Sequence, residues 1–213
     1  MIRTEVPGHP GLVVFGVVRG LVLEAEALRG ALQQMRPQVI GLGVSAEESR
    51  SLTDHFVDQA AEPLVPLLST EAVEIRELGR YGEVRVPNPS FVTAIEWAGT
   101  HAVRVAPVDP SEEEYANMFG DTIGYLELVR RTLRERRLLR SPPRGENADD
   151  FVLRWDADLN RGRESRRLVE QREAQTAREL ERLARESPPT AAVVDRERVP
   201  RLLRTLQGPS AGT

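Results

Sequence analysis

Residues 12–18 read Leu-Val-Val-Phe-Gly-Val-Val, a short, β-branched and wholly apolar segment. Such a segment is typical of a strand that is buried on both faces of a parallel sheet. Apolar residues then recur at helical spacing over 21–35, and Pro37 ends this helix. A second apolar segment over 38–44 completes the order strand, helix, strand, which predicts a right-handed βαβ unit.

A third strand is predicted at 102–108, where the sequence reads Ala-Val-Arg-Val-Ala-Pro-Val and then reaches Asp109. Three such strands with helical segments between them predict an α/β fold. We expect a small, mostly parallel sheet with flanking helices, followed by a helical C-terminal region.

Further helices are predicted where apolar residues follow the helical period or where a serine can act as N-cap. Ser45, Ser90 and Ser111 are such caps. The segment 73–86 alternates between apolar and polar residues instead, which predicts a hairpin or an insertion. The predicted helices cover 46–57, 90–98, 112 onward, 122–140, 147–160, 163–186 and 196–207.

These patterns divide the chain into an α/β core over 1–120, a helical region over 121–187, and a linker, short helix and flexible tail over 188–213. The helical region is expected to pack on the core or to be exchanged with a partner chain.

The helices predicted at 163–186 and 196–207 carry apolar stripes, and an exposed apolar stripe marks an interface. We therefore expect a homodimer.

Composition narrows the function classes. The chain has 213 residues, a formal net charge of −4 and no cysteine, which excludes disulfides, thiolate metal ligands and cysteine nucleophiles. All 29 basic residues are arginine, so a cluster of arginines carries little functional weight by itself. The sequence contains neither a basic and apolar leader nor an apolar stretch of about 20 residues, which predicts a cytoplasmic protein that does not enter a membrane.

The order of several motifs resembles that of the TraB/Tiki family. Residues 13–19 read Val-Val-Phe-Gly-Val-Val-Arg, and residues 36–43, after a helix, read Arg-Pro-Gln-Val-Ile-Gly-Leu-Gly. The family opens similarly, with a strand ending in Gly-x-x-His, a helix, and Pro-Asp-x-Val leading into a strand that bears a glutamate. Phe91 to Ala98, Val103 to Asp109 and the pair Arg172-Glu173 are similar to its later elements, so that the match covers roughly residues 12–185.

The resemblance implies a family of metal-dependent peptidases and regulators of peptide signals. Their chemistry is placed on the Gly-x-x-His histidine and on acidic residues at strand ends. Here the histidine position is Arg19, the glutamate position falls among Gly41, Leu42 and Gly43, and only Asp109 matches an acidic position. Arginine stays protonated and has no lone pair for a metal. The resemblance thus implies a divergent member that is non-catalytic or repurposed.

A ligand site is predicted at the C-terminal edge of the sheet, where loops and helix N-termini converge. Arg19, Ser45, Glu47, Glu48 and Asp109 are expected at this edge. A guanidinium beside a helix start suits a small anionic or peptide ligand. The alternative is that Arg19 forms a structural ion pair, for example with Asp109 or Glu24.

A working metal-dependent hydrolase is the alternative function, with Glu47, Glu48, Asp54, His55 or Asp109 as replacement ligands for a divalent metal. Asp54, His55 and Asp58 follow helical spacing and are weak metal candidates, because such a cluster is more often a solvated helical face and no second histidine lies nearby in the sequence. Otherwise no cofactor is expected.

Arginines over 130–144 give a second alternative, a polyanion-binding protein. Interleaved Glu127 and Glu135, the absence of aromatic residues from 126–150 and the negative net charge argue against nucleic acid. The competing interpretation is a salt-bridged helical surface that packs on acidic helices such as 146–158.

Overall fold

Five strands form one sheet in the computed structural model, which describes residues 1–57 and 69–208 but not the side chains of 55–57 and 69. Neighbouring strands run parallel, except that the first strand pairs antiparallel with the second at one edge. In chain order they are β1 (Ile2–Glu5), β2 (Leu12–Val17), β3 (Val39–Leu42), β4 (Arg104–Pro107) and β5 (Thr190–Asp195). Their order across the sheet is β1-β2-β5-β3-β4, and the predicted α/β fold class is confirmed.

Nine α-helices flank the sheet in the described part of the chain. Of these helices, none is both long enough and apolar enough to cross a membrane. They are α1 (Val22–Met35), α2 (Ala46–Val57), α3 (Ser69–Leu78), α4 (Pro89–Thr100), α5 (Glu112–Thr122), α6 (Tyr125–Arg140), α7 (Ala148–Leu159), α8 (Arg163–Glu186) and α9 (Val199–Leu206). A single 3-10 turn, Arg196–Arg198, joins β5 to α9.

Both faces of the sheet are covered at its centre, which explains why β2, β3 and the middle of β5 are apolar. Phe15 of β2 belongs to a cluster that joins the sheet to α1 and α4, and neighbouring Val14 belongs to a second cluster on the side of α8 and α9. Successive side chains of a strand point to opposite faces, so β2, β3 and β5 each contribute to both clusters. Burial on both sides is the condition under which a parallel strand loses its polar alternation.

Helix α8 covers its own sheet. Leu168, Ala177, Leu180 and Ala184, the apolar stripe of this helix, are all buried, and the last three pack in the cluster that contains Val14. The apolar stripe is therefore covered within this chain, and it no longer gives a reason to expect a homodimer.

The prediction of a linker after Pro188 is wrong. Thr190–Asp195 forms β5, which lies between β2 and β3 at the centre of the sheet, with all six residues buried. Its sequence, Thr-Ala-Ala-Val-Val-Asp, has an apolar centre of four residues, but the two prolines before it favoured a linker. The tail residues 209–213 lie outside the described residues.

The hairpin predicted over 73–86 is also wrong. Ser69–Leu78 is helix α3, and Leu78 is fully buried. The rest of the segment is a loop in which Val84 makes one isolated antiparallel bridge to Leu21. The alternation of apolar residues reflects a helix with one buried side followed by this loop.

Two helix starts differ in detail from the prediction. Asn88, rather than Ser90, caps α4, because its Oδ1 accepts a hydrogen bond from the Ser90 backbone N–H at 3.1 Å. The helix predicted at 122–140 begins at Tyr125, after α5 has ended at Thr122. At α5, Ser111 and Glu114 form a complete capping box, as expected for a cap followed by acidic residues.

Candidate functional site

A pocket of about 690 Å³ lies at the carboxyl ends of the parallel strands. Residues that follow β2, β3 and β4 line it, together with the first turns of α2, α4 and α5 and the inner side of α3. This is the edge at which ligands bind in open α/β sheets. The volume is within the range of pockets for small molecules.

All five predicted ligand residues line this one pocket. Arg19 follows β2, Ser45 and the glutamates Glu47 and Glu48 stand where β3 passes into α2, and Asp109 follows β4. The sequence therefore predicted correctly which residues meet, although their role in binding stays a prediction.

Arg19 is held by an ion pair that sequence reasoning did not identify. Its Nη2 lies 2.8 Å from Asp195 Oδ2, and its Nη1 lies 3.5 Å from Glu71 Oε1. The nearby Asp195 carboxylate raises the pKa of Arg19 above its ordinary value. Glu24, one of the two partners suggested by the sequence, instead accepts a hydrogen bond from the Val18 backbone N–H. Asp109, the other, binds different arginines.

Asp109 is the centre of a buried charge network. Arg198 binds it with two parallel contacts of 2.8 Å each, Arg172 donates to Oδ2, and the Thr176 hydroxyl donates to Oδ1 at 2.8 Å. Burial by itself raises the pKa of Asp109, but Arg198 and Arg172 outweigh it and hold the pKa well below its usual range. Asp109 lines the pocket, but both of its carboxylate oxygens already accept hydrogen bonds from this network.

Arg198 joins this network to α8 and to the sheet. Its Nε lies 2.8 Å from Glu173 Oε1, and its Nη1 donates to the Gly43 carbonyl at 3.1 Å. Burial opposes the charge of Arg198, but Asp109 and Glu173 raise its pKa well above the ordinary value. The pair Arg172-Glu173, which the sequence analysis singled out, therefore supplies one basic and one acidic side chain to the network.

Three acidic groups near Arg19 escaped the sequence analysis. Burial raises the pKa of Glu74 to about 7. Burial raises the pKa of Glu197 well above its ordinary value, and the negative charge of Asp195 raises it further. Asp195 and Glu197 were missed because β5 was missed. The signal was present, since the mainly apolar residues 190–194, followed by Asp-Arg-Glu-Arg over 195–198, repeat the pattern of an apolar strand ending in charge.

Glu47 combines a negative charge with a free acceptor. Hydrogen bonds from its own backbone N–H and from the Ser45 hydroxyl lower its pKa, so the group is ionised at neutral pH. Its Oε2 is out of contact with solvent and has no hydrogen-bond partner among the described residues. A buried acceptor of this kind normally has a partner.

Comparison with known proteins adds no family to this geometry. No family model matches the chain, and no curated protein matches it. The TraB/Tiki resemblance therefore stays a prediction from motif order and spacing.

The loop after α3 forms one wall of the pocket through Arg85, Val86 and Pro87. It is fixed to the end of β2, because the Arg85 backbone N–H donates to the Gly20 carbonyl at 2.9 Å. Gly20 has a φ of +88°, a conformation that favours glycine, and a Cβ there would lie 2.7 Å from Val84 Cγ1.

Replacing Gly20 by alanine is expected to destabilise the protein by about 1–3 kcal/mol, because a positive φ and a steric conflict act together. Urea unfolding measures this loss. The replacement Gly30→Ala is the control, since a Cβ at Gly30 meets no atom within 4 Å. Equal stability of the two variants would contradict the predicted role of Gly20.

The weak metal candidates do not form a site in the described residues. Asp54 is exposed, while the His55 side chain and Asp58 lie outside the described residues. Elsewhere in the described chain, no three or more His, Asp or Glu side chains are grouped in a way that would hold a metal ion. The replacement ligand set that a hydrolase needs is thus not assembled from the described side chains.

The arginines over 130–144 are only partly salt-bridged. Arg134 binds Glu127 at 2.5 Å and Arg131 binds Glu135 at 3.1 Å. The others are exposed and make no ion pair with another described residue: Arg130, Arg136, Arg137, Arg140 and Arg144. The predicted salt-bridged surface therefore accounts for two of the seven arginines.

Proposed function

We propose that this chain is a divergent TraB-like domain that binds a small, peptide-like ligand in the pocket without hydrolysing it. The observation that carries the proposal is the ionised Glu47 carboxylate in the pocket wall. A ligand ammonium or amide N–H would pair with this carboxylate. Arg19, where relatives place a histidine, supports the non-catalytic part, because it is engaged with Asp195.

The charges of the pocket favour a ligand with a positive group over a purely anionic ligand. Six acidic side chains line the pocket against three arginines. Each of these arginines is already paired, Arg19 with Asp195, Arg85 with Glu83 and Arg172 with Asp109. An anion would therefore have to compete with a carboxylate for each guanidinium group, whereas an ammonium meets carboxylates directly.

The remaining wall is apolar and supports the peptide-like character. Leu52, Ile75, Val86, Phe91 and Tyr115 all line the pocket. Predominantly apolar walls with a few placed polar groups are the usual form of a small-molecule site. A dipeptide or tripeptide with an apolar side chain fits a pocket of about 690 Å³.

The dipeptide phenylalanyl-alanine is expected to bind, and its N-acetylated form is expected to bind at least about tenfold more weakly. Glu47→Gln should weaken binding of the free dipeptide about 10- to 100-fold, since a hydrogen bond to a charged group is lost. Titration calorimetry measures both effects.

Glu113→Gln is the matched control, because Glu113 also lies in the first turn of a helix but does not line the pocket. The proposal fails if Glu47→Gln and Glu113→Gln bind the dipeptide equally, or if acetylation has no effect.

The metal-dependent hydrolase of the TraB/Tiki superfamily is the competing proposal. Thermal stabilisation by manganese or zinc, together with cleavage of the dipeptide, would favour it over the non-catalytic domain. Stabilisation that Asp109→Asn abolishes would place the ion at the pocket.

Polyanion binding through residues 130–144 is a weaker proposal, which the five exposed and unpaired arginines support. A steep fall of oligonucleotide affinity with increasing salt would favour it.

We also propose a cytoplasmic homodimer, although α8 and α9 do not supply its surface.

A further inference from the structure

Helix α6 has an outward face that is apolar in its first half. Tyr125, Leu126, Val129 and Leu133 expose 79%, 67%, 42% and 58% of their surface. Residues three and four positions apart share one side of a helix, so these four form one stripe. Leu128, which is 43% exposed, borders it. A contiguous exposed patch of this kind marks an interaction surface.

The ends of the same helix carry opposite charge. Arg136, Arg137 and Arg140 are exposed near its C-terminus. At its N-terminus, the Glu164 carboxylate accepts a hydrogen bond from the Gly124 backbone N–H at 2.8 Å, and Asp121 is exposed three residues earlier in the chain. Asp121 and Glu164 therefore offer acidic groups before the apolar stripe, beside the exposed Arg163 of α8, and the surface is basic after the stripe.

We infer that this face is the interface of a homodimer in which two copies of α6 pack antiparallel about a two-fold axis at Val129. In that arrangement Val129 of one copy faces Val129 of the second copy, and Tyr125 of one copy faces Leu133 of the second. The interface is isologous, as the two-fold axis requires. This inference supplies a surface for the homodimer proposed above and is independent of the pocket.

Charge complementarity favours a second copy in this orientation. Antiparallel packing brings the basic end of one α6 beside Asp121 and Glu164 of the other. The two Arg137 side chains then lie about 24 Å apart along the helix axis. This distance is about three Debye lengths at physiological salt, so their repulsion is screened. A nucleic acid would use the arginines but leave the central apolar stripe without a partner.

The contact area limits the expected affinity. A helix of 16 residues is about 24 Å long, and one helix pair buries less than the roughly 800 Å² per partner of a standard interface. We therefore expect a dissociation constant in the micromolar range. A covalent trap and a concentration series are both needed to detect such a dimer.

Val129→Cys provides the trap, because the natural chain has no cysteine. At the two-fold axis, the two introduced thiols would be oxidised by a mild added oxidant such as diamide to one intermolecular disulfide. The expected result is a cross-linked dimer on non-reducing gel electrophoresis. Leu23→Cys is the control, since Leu23 is 77% exposed on α1 and should cross-link far more slowly. Equal cross-linking of the two variants would overturn the inference.

Leu133→Glu tests the interface without a covalent bond. Analytical ultracentrifugation should show its dimer dissociation constant raised about 100-fold or more, because the substitution enters the two-fold interface twice. Leu23→Glu should leave the constant unchanged.

The outcomes separate the surface from the dimer itself. A dimer that is unaffected by Leu133→Glu would overturn the α6 surface and leave the proposed homodimer standing. A monomer at all concentrations, with no cross-linking of Val129→Cys, would overturn both. Neither outcome bears on dipeptide binding.

Discussion

Arg198→Met is expected to destabilise the protein by about 3–5 kcal/mol, the loss that follows when one partner of a buried charge network is removed. Asp109 and Glu173 would remain as buried carboxylates, with side chains 3% and 1% exposed. Arg172 still reaches Asp109, but in the described chain Glu173 pairs only with Arg198. Urea unfolding at pH 7 gives the difference in free energy of unfolding.

Two further variants make this experiment decisive. Arg182→Met removes an arginine that pairs with Glu179 and Glu186 on the surface of α8, and it should cost less than about 1 kcal/mol. Adding Asp109→Asn and Glu173→Gln to Arg198→Met should recover part of the lost stability, because the unpaired charges disappear. If Arg198→Met costs no more than Arg182→Met, the network is not a main source of stability.

The stability of the wild-type protein is expected to fall as pH rises, and the variant Glu74→Gln is expected to show a smaller fall. The pKa of Glu74 is about 7 in the folded protein and 4.5 in the reference state. Between these values the folded protein keeps a proton that the unfolded chain releases, so the wild type loses stability as pH rises from about 4.5 to 7. The difference between the variant and the wild type over this interval reaches at most about 3 kcal/mol.

Urea unfolding at pH 5, 6, 7 and 8 measures the effect. Glu197 stays in both proteins, and because the charge of Glu74 is one of the causes that raise the pKa of Glu197, Glu74→Gln also reduces the contribution of Glu197 to this fall. The control is Glu26→Gln, because Glu26 is an exposed glutamate of α1. Parallel pH profiles for the wild type and Glu74→Gln would show that Glu74 does not titrate as expected.

The sequence predicted those parts of the fold in which local pattern and tertiary environment agree. Strand β2 is apolar throughout and helices α1 and α8 have regular apolar patterns, and each of these elements is found within a few residues of its predicted bounds. Ser111 with Glu114 gave the start of α5, because a capping box is satisfied locally. For the same reason the strand-end residues Arg19 and Asp109 were placed correctly at one edge.

The sequence did not predict features that depend on partners distant in the chain. Thr190–Asp195 has an apolar pattern, but its place between β2 and β3 is decided by pairing with residues about 150–180 positions earlier. Without β5, the sequence did not indicate Asp195 as a partner for Arg19, and Arg198 was an ordinary charge in the last predicted helix. The acidic character of the pocket was missed as well, since Glu74 lies on α3, where a hairpin was predicted.

Strand β5 is the middle strand of the sheet and the last of the five to leave the ribosome. Until it emerges, β2 and β3 have no neighbour between them, and each carries a row of free backbone hydrogen-bonding groups. A nascent chain that is stalled before Thr190 would therefore hold an open, apolar sheet that is ready to pair with other chains. Completion of the sheet is a late step in biosynthesis, in contrast to domains whose central strands come first.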